Sequence, residues 1–206
     1  MSNHDADQER EWVSRAASGS LPAFESLSRA YEGDLLGFFV RRTRTVHDAE
    51  DLVQTTLIKV YRNVGRYKAR WTVRTWIFAI ARRSLIDHYR KTAAPHRNPG
   101  SLEDAPEPVD VRVPGQHLDE QEQAEALWQE AERLLPEPQS TALWLHYREG
   151  MSVKEVAQSM GRSAVDVKVL MHRARKKLAE SLEGNPGRLR AVRATWMQPR
   201  WEQSPC

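Results

Sequence analysis

The chain has 206 residues, a formal net charge of +3, 40% hydrophobic residues and one cysteine, Cys206. That length holds one or two domains, and a lone cysteine excludes an intrachain disulfide or a thiol-built zinc site and points to a reducing compartment. No apolar run approaches the roughly 20 residues of a membrane helix, and Met1–Arg15 has no signal-peptide core, so a cytoplasmic protein is expected.

Strand patterns are weak and helical periodicity is strong. A short helix is predicted over Gln8–Ala17. Ser20-Leu-Pro22 opens a second, with Ser20 as N-cap and Phe24, Leu27, Tyr31, Leu35 and Phe38 at helical spacing. His47 to Asp51 starts a third, acidic in its first turn as the helix dipole favours. Its apolar set is Leu52, Val53, Leu57, Val60 and Tyr61, and Gly65 ends it. After a basic loop, Arg66–Arg70, Thr72 caps a long helix to Arg90, with Val73, Trp76, Ile77, Ile80, Leu85 and Tyr89 as its buried side.

Thr92–Gln116 holds Pro95, Pro99, Pro106, Pro108 and Pro114, which sustain neither helix nor sheet. Beyond it a helix is predicted over Leu118–Leu135. Pro136 and Pro138 open another that ends at Glu149-Gly150. Two capping boxes follow, Ser152-Val-Lys-Glu155 and Ser163-Ala-Val-Asp166, with Gly161 between them. Two capped helices joined by a tight glycine turn make a helix-turn-helix; an ordinary helical hairpin is the plainer alternative. The expected fold is all-α. One small helical domain covers residues 8–91, a flexible acidic Pro-rich linker 92–116, a second helical domain with the helix-turn-helix 117–182, and a basic-aromatic tail 183–206.

Charge is segregated along this plan. Arg41–Lys91 carries thirteen Lys/Arg against four Asp/Glu, a net +9; Ser101–Arg133 is at −8; Arg162–Lys177 is at +5. Charge runs are often only solvated helix faces, but two basic blocks flanking an acidic linker suit a phosphate backbone. In the last helix Val167, Met171, Ala174 and Leu178 should face the core, leaving Lys168, His172, Arg173, Arg175 and Lys176 for base edges and phosphates in a major groove. In the first block Arg66-Tyr67-Lys68-Ala69-Arg70-Trp71 interleaves cations with aromatics, and Arg74, Trp76, Phe78, Arg82 and Arg83 follow. Rings stack on unstacked bases while cations hold phosphates, and an extruded base needs a pocket in such a loop. Tyr67, Trp76 and Phe78 equally suit a core; Trp71, among charges, is the better stacking candidate.

Asp48-Ala-Glu-Asp-Leu-Val-Gln-Thr-Thr-Leu-Ile-Lys59, Arg74-Thr-Trp-Ile-Phe-Ala-Ile-Ala-Arg82 and Leu85-Ile-Asp-His-Tyr-Arg-Lys91 resemble region two of extracytoplasmic-function (group four) bacterial RNA polymerase sigma factors. Leu134-Leu-Pro136, Ser152–Gly161 and Val167-Lys-Val-Leu-Met-His-Arg-Ala-Arg-Lys-Lys-Leu178 resemble region four. The resemblance covers most of Leu21–Leu182, in the family's order. It implies that Asp48, Asp51, Leu52 and Gln54 dock on the β′ clamp helices of core RNA polymerase, with region four on the β flap. It implies that Lys68, Arg70, Trp71, Arg74, Trp76, Arg82 and Arg83 read a melted minus-ten element. Ser163, Lys168, Val169, His172, Arg173, Arg175 and Lys176 correspond to the minus-thirty-five contacts, and an anti-sigma factor, often membrane-bound, is the implied regulator. The chain departs from the family pattern at Ala69, Trp71, Arg83, Val169 and Leu170, which bear on base selection. An apolar side chain at 169 or 170 suits a thymine methyl or a protein surface.

Neither a cofactor nor a metal is expected, and no phosphate-cradling glycine loop or metal-ligand cluster suggests an enzyme. A DNA-binding regulator that acts without polymerase is the main competing class. A recombinase-like enzyme is the other, and nothing in the residues supports it.

Overall fold

The computed structural model describes residues 5–92 and 118–181. Most of the expected linker, the tail after Ser181 and Cys206 lie outside the described residues. Among the described residues there is no strand, and the chain divides into two compact units.

The first unit has four α-helices: α1 (Ala6–Ala17), α2 (Leu21–Val40), α3 (Val46–Asn63) and α4 (Val73–Thr92). Local chemistry sets their starts. Asp5 caps α1 by accepting from the Asp7 amide, so the helix begins at Ala6, two residues before the predicted start. Ser20 caps α2 through the Ala23 amide, and Pro22 sits in the first turn, where no amide is needed. Gly19 takes φ 94°, a left-handed backbone that lets α1 end and α2 begin at once. Thr45 caps α3 through Asp48 N, and Thr72 caps α4 through Thr75 N. A 3₁₀ turn over Val64–Arg66 carries the chain past Gly65, where the helix was expected to stop.

Leu27, Tyr31, Leu35, Phe38 and Phe39 of α2 meet Val53 and Val60 of α3 and Ile77, Phe78, Ala81 and Leu85 of α4 in one core. Phe78 meets Phe38 edge-on at 5.6 Å. Each large aliphatic or aromatic side chain among them contributes about 2 kcal/mol by leaving water. Two corrections to the expected core follow, and one expected docking residue proves to lie within that core. Phe78 is fully buried, because α4 packs against α1, α2 and α3 and so hides a wider stripe than one neighbour requires. Tyr61 is 44% exposed, its ring tilted against the half-buried Phe24 at 4.9 Å at the rim. Leu52, expected on a docking surface, is only 5% exposed.

Buried polar groups tie α1 and α4 to α2. The Tyr31 hydroxyl donates to Glu9 Oε1 at 2.7 Å, and Arg74 pairs with Asp34 at 3.1 Å while its guanidinium lies over the Tyr31 ring. Burial, then the neighbouring Glu9 charge, pushes the Tyr31 phenol far above its ordinary pKa, so it stays a donor. Arg42 is also buried, donating to the Phe38 carbonyl at 2.7 Å.

The second unit contains α5 (Leu118–Leu134), α6 (Glu137–Leu143), α7 (Val153–Met160) and α8 (Ala164–Ser181). Leu127, Trp128 and Ala131 of α5 are buried, as are Leu143, Trp144 and Leu145 and the Val167, Met171, Ala174 and Leu178 stripe of α8. After α6 the chain widens into a π turn over Trp144–Arg148, a rare form that occurs mostly as single turns. Trp144 meets Trp128 edge-on at 5.1 Å, and its indole N–H donates to buried Glu149 at 2.9 Å. Lys177 donates to the Leu134 carbonyl at 2.6 Å, placing a cation at the negative end of α5.

Candidate nucleic-acid interfaces

The helix-turn-helix is built from its caps. Ser152 N donates to Glu155 Oε2 at 2.9 Å while Glu155 N donates to Ser152 Oγ at 3.3 Å, a reciprocal box that starts α7. Ser163 and Asp166 repeat it for α8, with Asp166 N on Ser163 Oγ at 3.1 Å and Ser163 Oγ on Asp166 Oδ2 at 2.8 Å. The Ser163 hydroxyl first, and the Ser163 amide donating to Asp166 Oδ2 at 3.3 Å next, hold the Asp166 carboxyl below its ordinary pKa. Between the boxes Gly161 takes φ 63°, which a side chain would strain. Both boxes and the glycine turn were legible beforehand.

With Val167, Met171, Ala174 and Leu178 buried, α8 turns Lys168, Val169, His172, Arg173 and Lys176 outward, all exposed. Arg175 is half-buried and donates to the Tyr147 hydroxyl at 3.4 Å, so it is directed partly into its own unit. Burial raises the Tyr147 phenol pKa and Arg175 opposes that rise. Ser163 is spent on the cap rather than presented as a spare donor.

The first unit presents a cleft. Tyr67 leaves the 3₁₀ turn, donates its hydroxyl to the Trp71 carbonyl and packs at 5.3 Å on the Trp76 ring. Lys68, Ala69 and Arg70 form the exposed tip of the loop, and Trp71 is half-buried behind it. Beside it lies a cleft of about 260 Å³ lined by Lys59, Asn63, Arg66, Trp76, Ile80, Arg83 and Asp87. The α4 members fall at positions 76, 80, 83 and 87, and the α3 members four apart at 59 and 63, so each helix contributes one face. Lys59 spans the back, donating to Ser84 Oγ at 3.0 Å and Asp87 Oδ2 at 3.2 Å. The space is smaller than a drug-sized site and suits one planar heterocycle against an aromatic wall with cations at the mouth.

Of the residues expected at the minus-ten element, Trp76 and Arg83 line this cleft, and Lys68, Arg70 and Trp71 sit on the adjoining loop. Arg82 is half-buried on α4. Arg74 is turned inward to Asp34, its side chain only 17% exposed. Lys59, Asn63 and Asp87 were not anticipated. Their signal was the shared spacing of two helices, which becomes useful only once those helices are known to pack side by side.

The remaining expected set lies on α3. Asp51 and Gln54 are exposed, and with Thr55, Ile58 and Arg62 they recur at three and four residues along one solvent face. Ile58 is 51% exposed, an apolar spot among polar neighbours. Asp48 is half-buried, and its carboxylate accepts from the Thr45 hydroxyl at 2.7 Å.

Among the described residues no helix is long and apolar enough to cross a membrane. Residues 27–94 match Sigma-70 region 2, and residues 126–178 match Sigma-70 region 4. The RNA polymerase sigma factor YlaC of Bacillus subtilis is 28% identical over 160 residues, 78% of this chain and 92% of that protein. The ECF RNA polymerase sigma factor BldN of Streptomyces coelicolor is 31% identical over 183 residues, 86% of this chain and 68% of that protein. The fold is shared with the sigma factor RpoE of Bartonella quintana, solved in complex with the anti-sigma factor NepR, at a TM-score of 0.59 and 24% identity, covering 79% of this chain and 98% of that one. Two sigma regions in order, on two helical units that end in a doubly capped helix-turn-helix, make this chain a member of the extracytoplasmic-function RNA polymerase sigma factors, which direct promoter-specific transcription initiation.

Proposed function

We propose that the segment over residues 8–91 docks on core RNA polymerase and holds the melted minus-ten strand, while the segment over residues 117–182 grips the minus-thirty-five duplex. The α3 face around Asp51 and Gln54 meets the β′ clamp helices, with Ile58 as its apolar centre. Leu52 acts from beneath, by holding that face in place, and Asp48 by capping the helix. An unstacked base enters the cleft against Trp76, with Arg83 and Arg66 at its mouth and Lys68, Arg70 and Trp71 along the strand. Arg82 flanks that path, and Arg74 positions α4 through Asp34. On α8, Lys168, His172, Arg173 and Lys176 reach the duplex, and Arg175 supports them beside Tyr147, with region four also seated on the β flap.

The chain acts in the cytoplasm as a specificity subunit and carries out no catalysis of its own. An anti-sigma factor controls it by covering these same faces; the sigma factor RpoE, which shares the fold, was solved in complex with the anti-sigma factor NepR. The observation that carries the proposal is the pairing, in one chain, of a cleft sized for one base with a helix face suited to an intact duplex. A gel shift with promoter DNA tests it. Specific binding is expected with core polymerase and little without it. Tight, specific binding by the chain alone would favour a polymerase-independent regulator instead.

A further inference from the structure

The outward side of α8 is not uniformly cationic. Val165 is 69% exposed, the most of any large apolar side chain among the described residues, and Val169 is 41% exposed. At about 100° per residue, Val165, Val169, His172 and Lys176 fall within about 60° of one another, opposite the buried Val167, Met171, Ala174 and Leu178. The valines therefore occupy the middle of the outward face in the first two turns, where a helix-turn-helix places base contacts. Arg162, Lys168 and Arg173 stand around them, all exposed. Asp166, the only acid from Arg162 to Lys177, is folded back onto Ser163.

An apolar pair ringed by cations fits a polyanion that carries apolar spots. In the major groove that spot is the C5-methyl of thymine, which no other standard base presents. We infer that Val165 and Val169 form a thymine-methyl reader at the front of α8, so that the minus-thirty-five element is selected in part through apolar contacts. The inference rests on the proposed seating of α8 in that duplex. It also explains why an apolar pair is retained on a solvent face: each valine loses water only when DNA is bound, so its contribution goes to recognition and not to folding.

The test uses the full chain assembled with core RNA polymerase. Binders are selected from promoters with a randomised minus-thirty-five duplex, built once with thymidine and once with deoxyuridine, which lacks only the methyl. The expected result is enrichment of thymines that falls about four-fold per methyl in the deoxyuridine library. The Val165→Ala/Val169→Ala chain should show the same fall on thymidine DNA and no further fall on deoxyuridine DNA. Equal enrichment in both libraries overturns the inference. So does a double variant that weakens both DNAs alike or loses core polymerase, which would mark the pair as a protein contact. Enrichment of no minus-thirty-five sequence at all would overturn the seating of α8 itself, and is told apart because thymidine DNA fails too.

Discussion

The two basic regions both carry an excess of cations, +9 over Arg41–Lys91 and +5 over Arg162–Lys177, and use them in opposite ways. In the first unit much of the positive charge serves the fold. Arg42 is buried on the Phe38 carbonyl, Arg74 is paired with Asp34 and lies over the Tyr31 ring, and Lys59 is bonded to Ser84 and Asp87. Of the exposed cations, Arg66 and Arg83 line a cleft with an aromatic wall, and Lys68 and Arg70 stand on the loop beside it. In the second unit the apolar stripe of α8 is narrow and regular, so most of its cations stand on open faces. A cleft receives a base that has already left its stack; an open face meets a duplex that stays intact. The contrast teaches that a charge count finds a nucleic-acid surface, but packing decides which form of the nucleic acid it takes.

Substitutions can break or sharpen that contrast. The largest effect is expected for Phe78→Ala, which removes a fully buried ring from the first unit and should cost about 4 kcal/mol by denaturant unfolding. A loss of promoter opening without loss of stability would return Phe78 to the DNA surface. Arg74→Ala should come next, at about 2 kcal/mol of stability, because Asp34 loses its partner in a largely enclosed site. Arg83→Ala, at the cleft mouth, should leave unfolding unchanged while weakening binding to single-stranded minus-ten DNA. If these two variants exchange phenotypes, structural and functional cations have been misassigned.

In the second unit Arg173→Ala should weaken minus-thirty-five-dependent initiation by about 2 kcal/mol without affecting stability, measured by transcription from promoters with and without that element. The smallest effect is expected for Ser163→Ala. It removes the cap of α8 and should cost about 1 kcal/mol of stability, read by thermal unfolding.

How far these regions were legible in advance differs for the same reason. The helix-turn-helix could be read almost to the residue, because caps, a glycine turn and a narrow apolar stripe are local features that need no neighbour to interpret. Ser163, Asp166, Gly161 and Val167 each carry their role in their immediate sequence. The first unit resisted because its helices pack on several sides. Phe78 stays open between core and DNA surface, and Leu52 between core and docking face, until α4 and α3 are seen to bury broad stripes, and Tyr61 looks like core until it is found at the rim. The cleft was the least legible feature, since Lys59 and Asp87 lie 28 positions apart and meet only through the packing of two helices. The π turn at Trp144–Arg148 had no local signature either.

All of these surfaces matter only if the chain is carried to promoters by core RNA polymerase. The most direct test is run-off transcription of a genomic promoter library by core polymerase alone, with the chain, and with the Asp51→Arg chain, whose substitution reverses a charge on the exposed face of α3. Specific transcripts are expected only with the unaltered chain, and Asp51→Arg should lower core affinity about tenfold, or ~1.4 kcal/mol, with its helical content unchanged. Transcripts that do not depend on the chain, or full activity from Asp51→Arg, would contradict the assignment of a polymerase-docked promoter reader.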